Sequence, residues 1–345
     1  KLVMLPGEEI IHVLPQEFIV DSEGEIHEPV GMHGKRLEAN FHVVVGQMGS
    51  IRNIARCVRE AGLEMEALTL EPLASSEAVL TKEEKEAGVA IVDIGGGTTD
   101  IAIFKDNIIR HTCVIPYGGG IITDDIKEGC SIIEKHAEQL KVKFGSSVPE
   151  LEKDSTYVTI PGLHGRPDKE ISLKVLAQII NARVEEILEM VNTELKAYGA
   201  FEQKKKLIAG IVLTGGGSNL RNLRQLANYT TGFDSRIGFA NEYVANDKNQ
   251  YLKGPEFATS IGLLMESLKI RDKKMLPTEE EIIEEAVAKA EPVALQPTAE
   301  VEKPQQVVKQ IEELAKPKEQ ARRNKPTFGQ SLMDKVKKFF EEVED

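Results

Sequence analysis

The sequence contains no cysteines close enough to act as a pair. Cys57, Cys113 and Cys130 are far apart and form no C-x-x-C, so neither a zinc site nor a disulfide framework is indicated, and a reducing compartment fits. None of the seven histidines stands at H-x-x-x-H or H-E-x-x-H spacing, which removes the usual helical metal and metalloprotease signatures. The longest unbroken apolar runs are only a few residues, against the ~20 needed to cross a bilayer, and the first residues hold no signal-peptide core. Nowhere does a strand lead into GKS or GKT, so a P-loop is excluded. Positive charge is also in deficit: 43 Lys plus Arg against 56 Asp plus Glu give a net charge of −13. That argues against generic nucleic-acid binding by the chain as a whole. The chain opens at Lys1, without methionine and inside what reads as a strand pattern, and so reads as a fragment.

What is present is more specific. At 345 residues and 41% hydrophobic content, the chain can build two or three domains with real cores. The stretch Val92 to Phe104, VDIGGGTTDIAIF, reads as a β-hairpin with a phosphate-sized turn. Gly95, Gly96 and Gly97 have no Cβ, so their backbone N–H groups can approach an anion closely. Thr98 and Thr99 add hydroxyl donors. Asp93 can hold a hydrated Mg²⁺, a cation that prefers oxygen ligands and keeps several waters. A ligand-free glycine hairpin is the bland alternative; the aspartates at both ends, Asp93 and Asp100, favour nucleotide phosphate.

Before the hairpin, residues 1–68 read as a small α+β unit. Strands are expected at Ile10–Leu14, Phe18–Val20 and Phe41–Val45, with a loop or hairpin connection over Gly24–Gly34. A helix capped by Ser50 and ending at Gly62 follows, then a strand over Leu63–Leu70. Glu71 and Pro72 open a second helix, and the charged run Lys82–Glu86 reads as a break between subdomains.

Beyond the hairpin, a strand Ile108–Ile115 passes through the glycine-rich turn Pro116–Gly120 into a helix near Ile121. Glu134–Phe144 is amphipathic, and a short strand is expected at Thr156–Ile160. Over Leu173–Leu195, apolar residues recur at helical spacing along one face. A strand Leu207–Leu213 then meets Thr214-Gly215-Gly216-Gly217-Ser218-Asn219 and a helix carrying Leu220, Leu223 and Leu226. Strand, glycine turn and helix N-terminus suit an anion, and paired with the first hairpin they suggest two halves of one cleft.

After Lys269 prolines interleave with Glu, Lys, Gln and Ala, which reads as a disordered tether over 271–326, with transient helix in Glu279–Lys289. The end, TFGQSLMDKVKKFFEEVED, carries a capping box, Thr327 with Gln330. Phe328, Leu332, Met333, Val336, Phe339, Phe340 and Val343 fall within an arc of about 140° at the helical period. Lys335 and Lys337 flank that arc, and Arg322, Arg323 and Lys325 precede it. This pattern predicts a helix lying on an anionic membrane surface, rather than a partner-docking or coiled-coil helix.

Taken together, DIGGGTTD at 93–100, AEQLK at 137–141, TGGGSNL at 214–220 and LEPLASS at 70–76 resemble the nucleotide motifs of the actin, MreB and heat-shock ATPase superfamily. HVLPQEF at 12–18, PVG at 29–31 and the tethered tail resemble, within it, the FtsA family of bacterial cell-division proteins. The resemblance covers about Glu9 to Leu268 and the tail. It implies an α/β, actin-like (ribonuclease H-like) ATPase fold with an FtsA-type inserted 1C subdomain. Residues 1–68 would be the remainder of 1C, 69–86 part of subdomain 1A, 87–126 with 207–270 subdomain 2A, 127–206 subdomain 2B, and 327–345 the membrane-targeting helix. The family's first phosphate loop and the opening of its insert have no counterpart, so the chain is read as N-terminally truncated.

The resemblance further implies ATP and Mg²⁺ as cofactors, with Glu138 and Lys141 toward ribose and adenine, Gly215 to Asn219 toward adenosine, and Glu71 positioning water in hydrolytic relatives. The implied role is an adaptor, at most a slow ATPase, that ties FtsZ filaments to the cytoplasmic face of the cell membrane at the septum. Its partners would be the FtsZ C-terminal peptide, other copies of itself, other divisome proteins and the anionic membrane surface. Rival readings are a turnover ATPase, chaperone- or kinase-like, and a pilus-assembly relative.

Overall fold

A computed structural model of the chain describes residues 4–162, 167–240, 252 and 254–275. Contacts divide the chain into Lys1–Lys269 and Ile270–Asp345, and the elements below lie in the first unit, apart from the last residues of the final helix. The tail reading, and the tether reading from 276 onward, lie outside the described residues; residues 271–275, expected as the start of the tether, continue the final helix.

The body is organised by one five-stranded mixed sheet. Strands β4 (Val89–Ile94), β5 (Thr99–Lys105) and β6 (Ile108–Ile115) form an antiparallel meander; β9 (Ile211–Thr214) lies parallel to β4, and β10 (Ser235–Ile237) parallel to β9. Every residue of β4, VAIVDI, is buried, the signature of a strand covered on both faces. Its side chains alternate accordingly. Ala90, Val92 and Ile94 enter one core with Ile101, Ile103 and Leu213, covered by α4 (Gly119–Cys130), α5 (Glu134–Phe144), α6 (Leu173–Tyr198) and α7 (Leu223–Thr231). Val89 and Ile91 enter the other with Phe104 and Val212, covered by α2 (Glu71–Val79) and α8 (Ala258–Met275).

Helix α6 follows the expected apolar period, burying Leu176, Ile180, Val184, Ile187, Val191 and Leu195, and closes at Gly199 in the left-handed conformation. A two-stranded ribbon of β7 (Tyr157–Ile160) and β8 (Lys169–Ser172) precedes it.

The N-terminal sheet has the order β2-β1-β3, with β1 (Glu8–Val20), β2 (Glu23–Ile26) and β3 (Leu37–Gln47), followed by α1 (Met48–Glu60). The two short strands expected at 10–14 and 18–20 are one. Pro15 interrupts the sequence pattern, but the pairing with β3 shifts register between Pro15 and Glu17, and a bulge accommodates a residue without an N–H. The Gly24–Gly34 connection contains β2. Helix α1 starts two residues before Ser50, with Gln47 in the cap position.

Other boundaries are corrected by tertiary context. Leu63–Leu70 is not a strand: the segment finds no sheet edge, and Leu70 N–H donates to His12 Nε2 at 3.1 Å. The charged run after Leu80 is not a break but α3 (Lys82–Ala87), because Thr81 and Glu84 form a reciprocal capping box. Leu207–Gly210 precedes β9 as a turn, with Gly210 at φ +68°. Leu220 precedes α7, which starts at Leu223 behind Asn222 in the left-handed conformation.

Candidate functional site

The hairpin between β4 and β5 is closed by the Gly95 N–H donating to the Thr98 carbonyl at 2.9 Å. Register places Asp93 opposite Asp100 and beside Thr214 of β9. The next glycine turn holds the hairpin down: Gly119 N–H donates to the Gly95 carbonyl at 2.8 Å and Gly120 N–H to the Gly96 carbonyl at 2.7 Å. Consequently the first two amides of α4 are spent on the hairpin. The amides of Gly96, Gly97 and Thr98 have no backbone acceptor among the described residues, and space is open around both glycines. They form a small unpaired cradle of donors, the geometry that suits an anion.

The threonine hydroxyls do not join that cradle. Thr98 Oγ1 donates to Asp100 Oδ2 at 2.7 Å, and buried Thr99 donates to the Tyr117 carbonyl at 2.8 Å.

Across from the hairpin, Gly215 adopts φ +80° and lies so close to β4 that a Cβ there would stand 2.3 Å from Asp93 Oδ1 and 2.6 Å from the Ile94 carbonyl oxygen. It packs the second loop onto the first. Ser218 is buried, and its hydroxyl donates to the Gly215 carbonyl at 2.7 Å, closing a 3-10 turn over Gly216–Asn219. Gly216 and Asn219 remain exposed.

The two loops and α5 enclose a cleft of about 340 Å³. It gathers Gly95, Gly96, Glu138, Lys141, Gly216, Gly217 and Asn219 from the sequence-derived set, with Gly119, Ile122, Val142, Leu220 and Glu256. Gly97, Thr98 and Thr99 belong to the hairpin but not to the lining, and Asp93, Gly215 and Ser218 lie beneath it. A larger open concavity of about 630 Å³, around Glu152, Lys153 and Arg221, contains none of these residues.

On the α5 wall, Lys141 is braced rather than free. Its ammonium donates to the Gly119 carbonyl and to Thr123 Oγ1, both at 2.7 Å, and pairs with Glu138 Oε2 at 2.8 Å. Partial burial opposes ionisation of Glu138, but the Lys141 ammonium and Thr123 hydroxyl outweigh it and hold the carboxyl below its ordinary range.

Three carboxylates collect beneath the hairpin. Asp93 is 2% exposed, and its Oδ2 accepts from Ser75 Oγ at 2.6 Å and Thr259 Oγ1 at 3.4 Å. Burial pushes its carboxyl up, Asp100 adds to this, and the Ser75 hydrogen bond opposes it. Asp100 is raised by burial. Glu71 is exposed as a whole residue, yet partial shielding of its carboxylate, then Asp93 and Asp100, raise it too. Among the described residues no three His, Cys, Asp or Glu side chains converge closely enough to ligate a metal directly.

Ser75, Thr259 and Glu256 were not singled out from sequence. Ser75 stood in LEPLASS without an assigned role. Thr259 opens α8, and Glu256 accepts from Asn219 Nδ2 at 2.9 Å. Their signal was the Gly254-Pro255 pair, a helix-start marker whose Pro255 carbonyl receives the Gly215 N–H at 3.2 Å.

A mixed sheet covered on both faces, with two glycine loops and a helix wall meeting at a cleft, defines a protein of the actin-like fold. Solved structures agree: MreB5 of Spiroplasma citri bound to ADP is similar at TM-score 0.54 and 21% identity, covering 67% of this chain and 68% of that one. A PilM–PilN type IV pilus biogenesis complex is similar at TM-score 0.56 and 19% identity, covering 76% and 68%. At such identities the likeness shows the fold alone.

The chain belongs to the FtsA family. The model for "Cell division protein FtsA" matches residues 90–262, and that for "SHS2 domain inserted in FTSA" matches 1–45. Cell division protein FtsA of Pseudomonas aeruginosa is 38% identical over 270 residues, 78% of this chain and 64% of that protein. The Borreliella burgdorferi protein is 39% identical over 267 residues, 77% and 63%, and the Escherichia coli K12 protein 36% identical over 259 residues, 74% and 61%. The chain thus spans somewhat less than two thirds of these relatives' lengths.

Proposed function

We propose that the cleft binds ATP with Mg²⁺, and that the protein is an actin-like adaptor which assembles with copies of itself and ties FtsZ filaments to the membrane at the division septum. The observation that carries the nucleotide reading is the cleft itself, where Gly96 with its unpaired amide shares the lining with Glu138, Asn219 and apolar Val142 and Leu220. Amides at the hairpin would hold the phosphates; Glu138 and Asn219 would meet the sugar and base. The carboxylates of Glu71, Asp93 and Asp100, each raised by burial, form surroundings that a hydrated divalent cation relieves. Bound Mg²⁺ would supply charge neutralisation to the phosphates, with Asp93 acting through water.

In this reading residues 1–68 are the remainder of the 1C insert and make filament and division-protein contacts. Residues 69–86 belong to subdomain 1A, 87–126 with 207–270 to 2A, and 127–206 to 2B, where the FtsZ C-terminal peptide docks. The segment 327–345 is the membrane anchor on its 271–326 tether.

Calorimetric titration with ATP and Mg²⁺ tests the site. Gly96→Val projects a side chain into open space, so folding is retained while ATP affinity is expected to fall about tenfold or more, some 1.4 kcal/mol. Equal affinity in both proteins overturns the assignment.

A further inference from the structure

Arg221 directly follows Leu220 of the second glycine loop, and its guanidinium reaches across to the C-terminal end of α5. Nη2 donates to the Phe144 carbonyl at 2.6 Å and Nε to the Gly145 carbonyl at 3.2 Å. Carbonyls at a helix end lack amide partners within the helix, and a cation is favoured there. Nη2 also pairs at 3.1 Å with Glu152 Oε1, on a side chain only 10% exposed. One planar fork thus serves the end of α5 and a largely buried carboxylate together.

The backbone around Arg221 is anchored to the same segment. Its carbonyl accepts from the Ser147 N–H at 2.9 Å and the Ser147 hydroxyl at 3.0 Å, and Asn222 Nδ2 donates to Ser146 Oγ at 3.0 Å. Packing is close: a Cβ at Gly145 would stand 2.8 Å from Leu220 Cδ2. Val142, near the end of α5, and Leu220, next to Arg221, both line the glycine cleft. A clasp between the end of α5 and the residue after Leu220 therefore fixes how far apart these two apolar walls stand. The phosphate-facing hairpin is held separately, by the amides of Gly119 and Gly120, and none of the hydrogen bonds of Arg221 goes to it.

We propose that Arg221 is a positioning residue that sets the width of the apolar end of the cleft, and so governs how the site holds the base and sugar of a nucleotide rather than its phosphates. The proposal rests on the nucleotide reading of the cleft. Calorimetry with the full chain compares ATP with inorganic tripolyphosphate, each with Mg²⁺; tripolyphosphate carries the phosphate chain without sugar or base. Arg221→Ala is expected to weaken ATP binding about tenfold or more, because a loosened supporting shell misplaces the groups it holds, and to change tripolyphosphate binding by less than about twofold. The Ser147 bonds to the Arg221 carbonyl do not need the side chain, so this variant should fold. Arg221→Lys keeps a cation beside Glu152 but cannot serve two carbonyls with a rigid fork, and its ATP affinity should lie between those of the parent and Arg221→Ala. Equal ATP affinity in the parent and Arg221→Ala overturns the proposal alone. Matched losses for ATP and tripolyphosphate also overturn it, as does an Arg221→Lys protein no better than Arg221→Ala. A parent chain that binds no ATP overturns the nucleotide reading and this proposal with it.

Discussion

The two aspartates that frame the glycine hairpin do different work from the glycines. Asp93 is almost wholly buried and depends on the hydroxyls of Ser75 and Thr259. Removing the nearer donor by Ser75→Ala leaves a buried carboxylate short of a partner, and unfolding in denaturant should show a loss of about 1.5–3 kcal/mol. Because its folded carboxyl is raised above the ordinary value, Asp93 favours folding at low pH and opposes it as pH rises through that raised value. Asn imitates the protonated acid at every pH. In the absence of Mg²⁺, Asp93→Asn should therefore melt above the parent chain at pH 7–8, with the gap closing as pH falls toward about 4, the ordinary carboxylate range. A gap that widened toward acid would refute this account. At this scale the sequence singles out the aspartate and the glycines as candidates, since residue type alone suggests their chemistry. It could not separate Gly96, which faces the cleft, from Gly215, which packs on Asp93, nor show that the Thr98 and Thr99 hydroxyls are spent internally.

The hairpin works only as part of a larger element. The start of α4 gives its first amides to the carbonyls of Gly95 and Gly96, and Lys141 of α5 grips the same turn through the Gly119 carbonyl. A Cβ at Gly118 would stand 2.6 Å from the Gly95 oxygen and 2.9 Å from the Thr98 oxygen. Gly118→Ala must therefore displace the hairpin, and a loss of about 1–3 kcal/mol in stability, with weakened ATP binding by calorimetry, is expected. Gly97→Ala meets nothing within 4 Å and should remain within about 0.5 kcal/mol of the parent; equal losses in the two variants would contradict this geometry. Periodicity made α6 readable from Leu173 to Leu195, because nine buried positions follow one face, while its last turn to Tyr198 adds no buried apolar position. α3 was missed because its six charged or small residues carry no apolar period. What makes it a helix is a capping box and the Arg236 guanidinium, which donates to both Glu84 oxygens at 2.7 Å from β10.

At the level of the whole molecule, the glycine cleft and the membrane reading belong to separate parts of the chain. A single amphipathic helix binds a bilayer reversibly, and assembly would multiply such anchors into firm attachment. The chain ending at residue 326 should lose most of its co-sedimentation with anionic vesicles while its thermal midpoint stays unchanged; undiminished vesicle binding would sink the membrane assignment.

Sequence by itself determined the glycine hairpin, the second glycine loop, the α5 segment that faces them, the long helix and the family, because each rests on local residue type and spacing. Tertiary structure alone decided how the hairpin at 93–100 and the loop at 214–219 divide their labour. A glycine can expose an amide to a ligand or let one backbone approach another, and the sequence reads the same in both cases. Only the distance to Asp93, Ile94 and the Gly118–Gly120 turn tells them apart, because close packing is set by residues far apart in the chain.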